Sequence, residues 1–116
     1  MNIEEFRAFC LAKPLVTEEF PFDEVTLVFK VCGKIFALTG LYHLEFRVNL
    51  KCDPERALEL REQYDSIRPG FHMHKKHWNT VIVDGSFSDE LFIDLINHSY
   101  DMVVRGLPKR LREKLN

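Results

Sequence analysis

Between Pro69 and Val83 the chain reads Pro-Gly-Phe-His-Met-His-Lys-Lys-His-Trp-Asn-Thr-Val-Ile-Val, holding three of the five histidines, the only tryptophan and a Lys-Lys pair. His72, His74 and His77 suggest metal ligation first: imidazoles two apart on an extended segment point the same way, and a third after a turn could close the face. No cysteine or acid lies between Arg68 and Val83 to complete or orient such a set, and metal-bound imidazoles need that second layer. The residues therefore favour His72 or His77 bonded to the scaffold, an exposed His74 and no metal. Lys75 and Lys76 sit in a polar loop as point charges suited to phosphate, with a merely solvated loop as the alternative. Trp78 opens an apolar strand, which favours a partly buried core indole over an exposed stacking platform.

Catalytic patterns are missing elsewhere. There is no G-x-S-x-G, no glycine-rich phosphate loop and no cysteine beside a local base, so the expectation is a non-enzymatic protein with no catalytic residue and no cofactor. His98 with Asp94 and Asp101 has proton-transfer chemistry available, but at this helical spacing surface contacts are the simpler use. Cys10, Cys32 and Cys52 are odd in number and far apart, which predicts reduced thiols in the core or at its edge.

Charge is uneven. The formal net charge is -2, which argues against wholesale affinity for nucleic acid. Yet residues 68 to 80 and 105 to 116 together hold 8 of 16 basic residues and 1 of 18 acids, leaving a formal -9 on the other 91 residues. If the two segments meet in space, the molecule has one basic and one acidic side.

These residues need a scaffold. A chain of 116 residues with 46% hydrophobic side chains, ten of them phenylalanine, suits one domain spanning 1–116 with a single core. No apolar run approaches the roughly 20 residues of a membrane span, and Met1 leads into Asn-Ile-Glu-Glu-Phe rather than a signal region, which predicts a cytoplasmic protein with no membrane partner. Residues 2 to 12 read as a helix capped by Asn2 and ended by Lys13-Pro14, and Val16 to Asp23 as a short extended piece. Three strands follow. Val25–Val31 turns Val25, Leu27, Phe29 and Val31 inward and Thr26, Val28 and Lys30 outward, before a hairpin turn at 32–34. Ile35–Thr39 is apolar on both faces, and Leu44–Lys51 turns Leu44, Phe46, Val48 and Leu50 inward. Asp53-Pro54 starts a helix to about Tyr64 with Ala57, Leu60 and Tyr64 inward. Arg68-Pro69-Gly70 is a turn, 74–77 a loop and Trp78–Val83 a strand. Ser88 caps a long helix from Asp89 to about Gly106, and Lys109–Asn116 is a basic tail with Leu111 and Leu115 on one face. The fold class is α+β: an antiparallel meander packed against helices.

Several stretches resemble the MmcQ/YjbR family of small bacterial proteins: Glu-Glu-Phe-Pro-Phe at 18–22, Val-Phe-Lys-Val-Cys-Gly-Lys-Ile-Phe-Ala-Leu at 28–38, the 69–81 stretch quoted above, and Ser-Tyr-Asp-Met-Val-Val at 99–104 continuing to Leu-Pro-Lys-Arg-Leu-Arg at 107–112. The resemblance implies a CyaY-like, "double-wing" α+β fold and a DNA-binding role, and gives the middle histidine, His74, no part in it. Together with the charge layout it marks Arg68, His72, Lys75, Lys76, His77, Asn79, Lys109, Arg110 and Arg112 as nucleic-acid contacts, with Lys30 and Lys34 as a wing tip. The alternative is a small-ligand or protein-interaction module using a cleft near Trp78, without nucleic acid.

Overall fold

A computed structural model describes residues 1–115. Local chemistry starts each long helix where the sequence places it. Asn2 accepts from the Glu5 amide while the Glu5 side chain accepts from the Asn2 amide, a reciprocal box that starts α1, Ile3–Leu11. Asp53 accepts from the Arg56 amide ahead of Pro54 and starts α2, Pro54–Gln63. Ser88 accepts from the Leu91 amide and starts α3, Asp89–Arg105, which stops at Gly106.

The strands are β1 (Val16–Glu19), β2 (Thr26–Val31), β3 (Lys34–Gly40), β4 (Arg47–Lys51), β5 (Ile67–Pro69) and β6 (Trp78–Ile82). They form one antiparallel sheet in the order β1-β2-β3-β4-β6-β5. Its two edges, β1 and β5, are the extended piece and the turn of the sequence reading. Both are short, and each gains its ladder only by pairing with a longer neighbour. The β2–β3 hairpin turns through Cys32 (φ 49°) and Gly33 (φ 81°), the doubled positive φ that a two-residue loop requires.

One face of the sheet carries the core. Phe6 and Cys10 of α1, Ala57 and Leu60 of α2, and Phe92, Leu95, Ile96, Tyr100 and Val103 of α3 pack on Leu27, Phe29, Val31, Val48, Leu50 and Val81. The Phe6 ring meets Phe29, Phe46 and Phe92 within 6 Å, centre to centre, spacings at which aromatic pairs attract beyond their buried area. Ser99, fully buried on α3, accepts from the Lys51 amide at 2.8 Å and donates to the Phe36 carbonyl, tying helix to sheet. Cys10 and Cys52 are buried and Cys32 half-buried, all three free. Burial pushes the Cys10 thiol up to about 12.

The alternation rule misplaces two residues. Leu44 is fully exposed, because β4 begins only at Arg47 and 41–45 is a loop. Val28, assigned to the wet face, is fully buried, because β2 lies inside the sheet and Glu19 of β1 and Leu38 of β3 flank it in register. The apolar run 35–39 is explained by a bulge that pairs Phe29 with Ala37 and Lys30 with Ile35. The extra residue lets both Phe36 and Ala37 join the helix-side core. After α3, residues 109–115 form a short helix α4, Lys109–Arg112, and a 3-10 turn, Glu113–Leu115, with Leu111 and Leu115 half-buried. Asn116, the last residue of the expected basic tail, lies outside the described residues.

A candidate nucleic-acid interface on the open sheet face

Helices cover one side of the sheet, so side chains at alternate positions of the central strands project from the other. In register across that side stand Val28, Leu38, Asn49, Thr80 and Arg68. Arg47 and Lys51 flank Asn49 on β4, and Trp78 flanks Thr80 on β6.

Two adjoining depressions occupy this face, and Phe22 borders both. The first, about 550 Å³, is lined by Lys30 and Lys34 of the hairpin, Lys51, Trp78 and the end of α3 at Val103 and Gly106. Lys30 also faces Glu19 at 3.2 Å. The second, about 480 Å³, has a floor of Thr26, Leu38, Gly40, Asn49 and Thr80, with Phe22 on one lip and Phe71 to Met73 on the other.

The 70–77 loop between them is held from behind by α2. Arg61 donates through Nε to the Asn79 side-chain oxygen at 2.7 Å, and through one terminal nitrogen, Nη2, to both the Trp78 and Lys75 carbonyls. Lys75 donates to the Gly70 carbonyl at 2.9 Å, closing the loop on itself. Gly70 is required there: a Cβ would fall 2.8 Å from that of Trp78.

The expected contacts divide accordingly. Lys76 is exposed beside Lys75. His77 is half-buried, and that burial, then neighbouring His74, Lys51 and Lys76, holds its imidazole below the ordinary value, so it is chiefly neutral at pH 7. The His74 and His77 rings meet tilted at 5.1 Å, whereas His72 turns to Phe71 and lines the second depression. The three rings therefore do not converge. Arg68 stands on the far edge strand, near Asp84, whose carboxyl is held below the usual range first by hydrogen bonds from Ser86 and only least by Arg68. Asn79 requires correction: it is buried on the helix side, engaged by Arg61 and the Ala57 carbonyl, and out of reach of any phosphate. Trp78 is half-buried as expected but is not part of the helix-side core; it faces the open side, because Asn79 and Val81 take the inward positions of β6. Lys109, Arg110 and Arg112 are exposed. The two basic segments approach through Gly106, which lines the same depression as Trp78.

Two basic residues of this face, Arg47 and Lys51, were outside the expected set. Alternation along β4 puts both on its wet side; that this side faces Trp78 and the hairpin lysines follows only from strand order.

A six-stranded antiparallel sheet, backed by helices and open toward a basic and aromatic face, defines an α+β protein with a one-sided sheet. The chain belongs to the YjbR family, whose model matches residues 11–102. It is 40% identical over 112 residues to the Escherichia coli O157:H7 protein YbdF, covering 97% of this chain and 92% of that one. It is 36% identical over 115 residues to YjbR of Escherichia coli K12, covering 99% and 98%. Its fold matches the crystal structure of Deinococcus radiodurans DR2400, family-model domain DUF419, with a TM-score of 0.91 at 42% identity, over 98% of this chain and 87% of that one. Among the described residues no helix is long and apolar enough to cross a membrane.

Proposed function

We propose that this protein binds DNA through the lysine-rimmed end of its open sheet face and carries out no catalytic step. The observation that supports this most is the gathering of Lys30, Lys34 and Lys51 around Trp78 in one depression, with Lys76 exposed in the adjoining loop. Lysines are point charges suited to phosphate oxygens, and such contacts position a protein on DNA without reading its sequence. The α4 side chains Lys109, Arg110 and Arg112 extend the basic surface beyond Gly106. Asn79 is not among the contacts, and His77 adds little charge at neutral pH.

About four lysine contacts, each releasing roughly 0.9 counterion from duplex DNA, give a slope of log K against log salt of roughly -3 to -4. Titrating a labelled 12-base-pair duplex at several salt concentrations measures it. Lys34→Ala with Lys76→Ala should flatten the slope by about 2 and weaken all sequences alike. Absence of binding at low salt, or a slope near zero, refutes the reading.

A further inference from the structure

The second depression does not depend on the lysine rim and differs from it chemically. Phe22 and Phe71 come from loops at opposite borders of the sheet and are 66% and 55% exposed, yet both line this one groove. Both rings present open surface to the hollow, and Phe71 is also met by the His72 ring at 4.1 Å, centre to centre, and by the Arg47 guanidinium. On the floor Gly40 lets the His43 ring lie directly against the backbone, where a Cβ would fall 2.7 Å from that ring. At one end Arg47 is fixed by His43 at 2.9 Å and by the Phe71 ring, 5.4 Å from the guanidinium carbon, with Glu45 3.7 Å from one terminal nitrogen. The Phe71 loop is itself preset. Its amide donates to Thr80 Oγ1 at 2.9 Å and its carbonyl accepts from Asn49 Nδ2 at 3.1 Å, while Thr80 and Asn49 bond each other. His72 holds a positive φ of 59° beside it.

Flat walls and one guanidinium at the end match a planar ring bearing an anionic group. The volume, about 480 Å³, lies within the roughly 300–1,000 Å³ of small-ligand sites. The groove shares Phe22 with the lysine-rimmed depression. From Arg47 to Lys51 along β4 is four residues, about 13 Å at roughly 3.3 Å each, a span of two or so nucleotides.

Resting on the DNA reading above, we infer that this groove takes one unpaired base of a single strand, its ring against Phe71 and Phe22 and its phosphate on Arg47, while the strand runs on to Lys51 and Trp78. Stacking on an aromatic is sequence-tolerant, so every base should enter.

The test is fluorescence anisotropy with labelled (dT)8, the same 12-base-pair duplex, and unlabelled dTMP as competitor. Phe71→Ala should weaken (dT)8 roughly 5- to 150-fold, the range of one lost base–aromatic stack, and leave duplex binding within about twofold. Phe71→Trp, which keeps a ring, should restore (dT)8 binding and so separates stacking from loop stability. Lys34→Ala with Lys76→Ala should weaken both ligands. If duplex binding is present but Phe71→Ala and Phe22→Ala leave (dT)8 unchanged, the inference is overturned and the DNA reading stands. If neither DNA binds, the reading itself falls. If dTMP binds as tightly as (dT)8, the groove is a free-nucleotide site and the strand assignment is overturned.

Discussion

Arg61→Ala tests how the interface is built, because one guanidinium on α2 reaches through to the back of the 70–77 loop. The substitution removes the donor to the Asn79 side-chain oxygen at 2.7 Å and the donors to the Trp78 and Lys75 carbonyls. The Lys75 carbonyl is exposed, so water replaces most of what it loses, and the part-buried Trp78 carbonyl keeps the Gly70 amide at 2.9 Å. Asn79 has neither: it is 2% exposed, and a buried acceptor left without a donor costs about 1–3 kcal/mol. With a few tenths more for each carbonyl, the expected loss is roughly 2–3 kcal/mol. At about 4 °C per kcal/mol for a domain near this size, Tm should fall by about 8–12 °C. Thermal melts by circular dichroism and urea unfolding measure this, and the urea midpoint should drop without a change in slope. Arg61→Lys should rescue only part, since an ammonium cannot span several acceptors as the planar fork does. In an Asn79→Ala background the further loss from Arg61→Ala should shrink to below about 1 kcal/mol, because the orphaned acceptor is gone. An Arg61→Ala protein melting within 2 °C of the parent refutes the reasoning, and the loop must then be held by its own turns and the Lys75–Gly70 bond.

Two further outcomes follow from the buried polar contacts. Ser99→Ala should lower stability by about 1–3 kcal/mol in urea unfolding, because the Lys51 amide loses its acceptor inside the structure; a change under 0.5 kcal/mol contradicts this. His98 Nε2 accepts from the Asp53 amide at 3.0 Å, which requires the neutral ring. Burial first, then Arg56, holds its pKa below the ordinary value against the opposing pull of Asp53 and Asp94. A depressed histidine pKa means that the unfolded chain binds the proton first. This contribution to stability is therefore present above pH 6.5 and lost as pH falls below it. Urea midpoints from pH 7.5 to 5 should decline in the parent and decline less in His98→Gln; identical profiles contradict the assignment.

The three helix starts were legible because each is a contract among neighbours: Asn2 with Glu5, Asp53 with Arg56 and Pro54, Ser88 with Leu91. The hairpin at Cys32-Gly33 and the inward placing of Ala57 and Leu60 on α2 were legible for the same reason, since capping, turn and periodicity signals act over a few residues. The family and its α+β fold could also be read, from motifs spread along the chain. What the neighbours could not settle was which strand lies beside which and which way each side of a strand looks. Trp78 and Asn79 show it: either could have been the inward residue of β6, and a lone tryptophan favours itself on hydrophobicity. The inward place went to Asn79 because Arg61 on α2 supplies its partner there, which sent the indole to the open face. Lys34, Lys51 and Trp78, far apart in sequence, share one depression only because β4 lies between β3 and β6. Strand order is fixed by the packing of the whole sheet against its helices, so the surface that carries the proposed function is a product of tertiary structure.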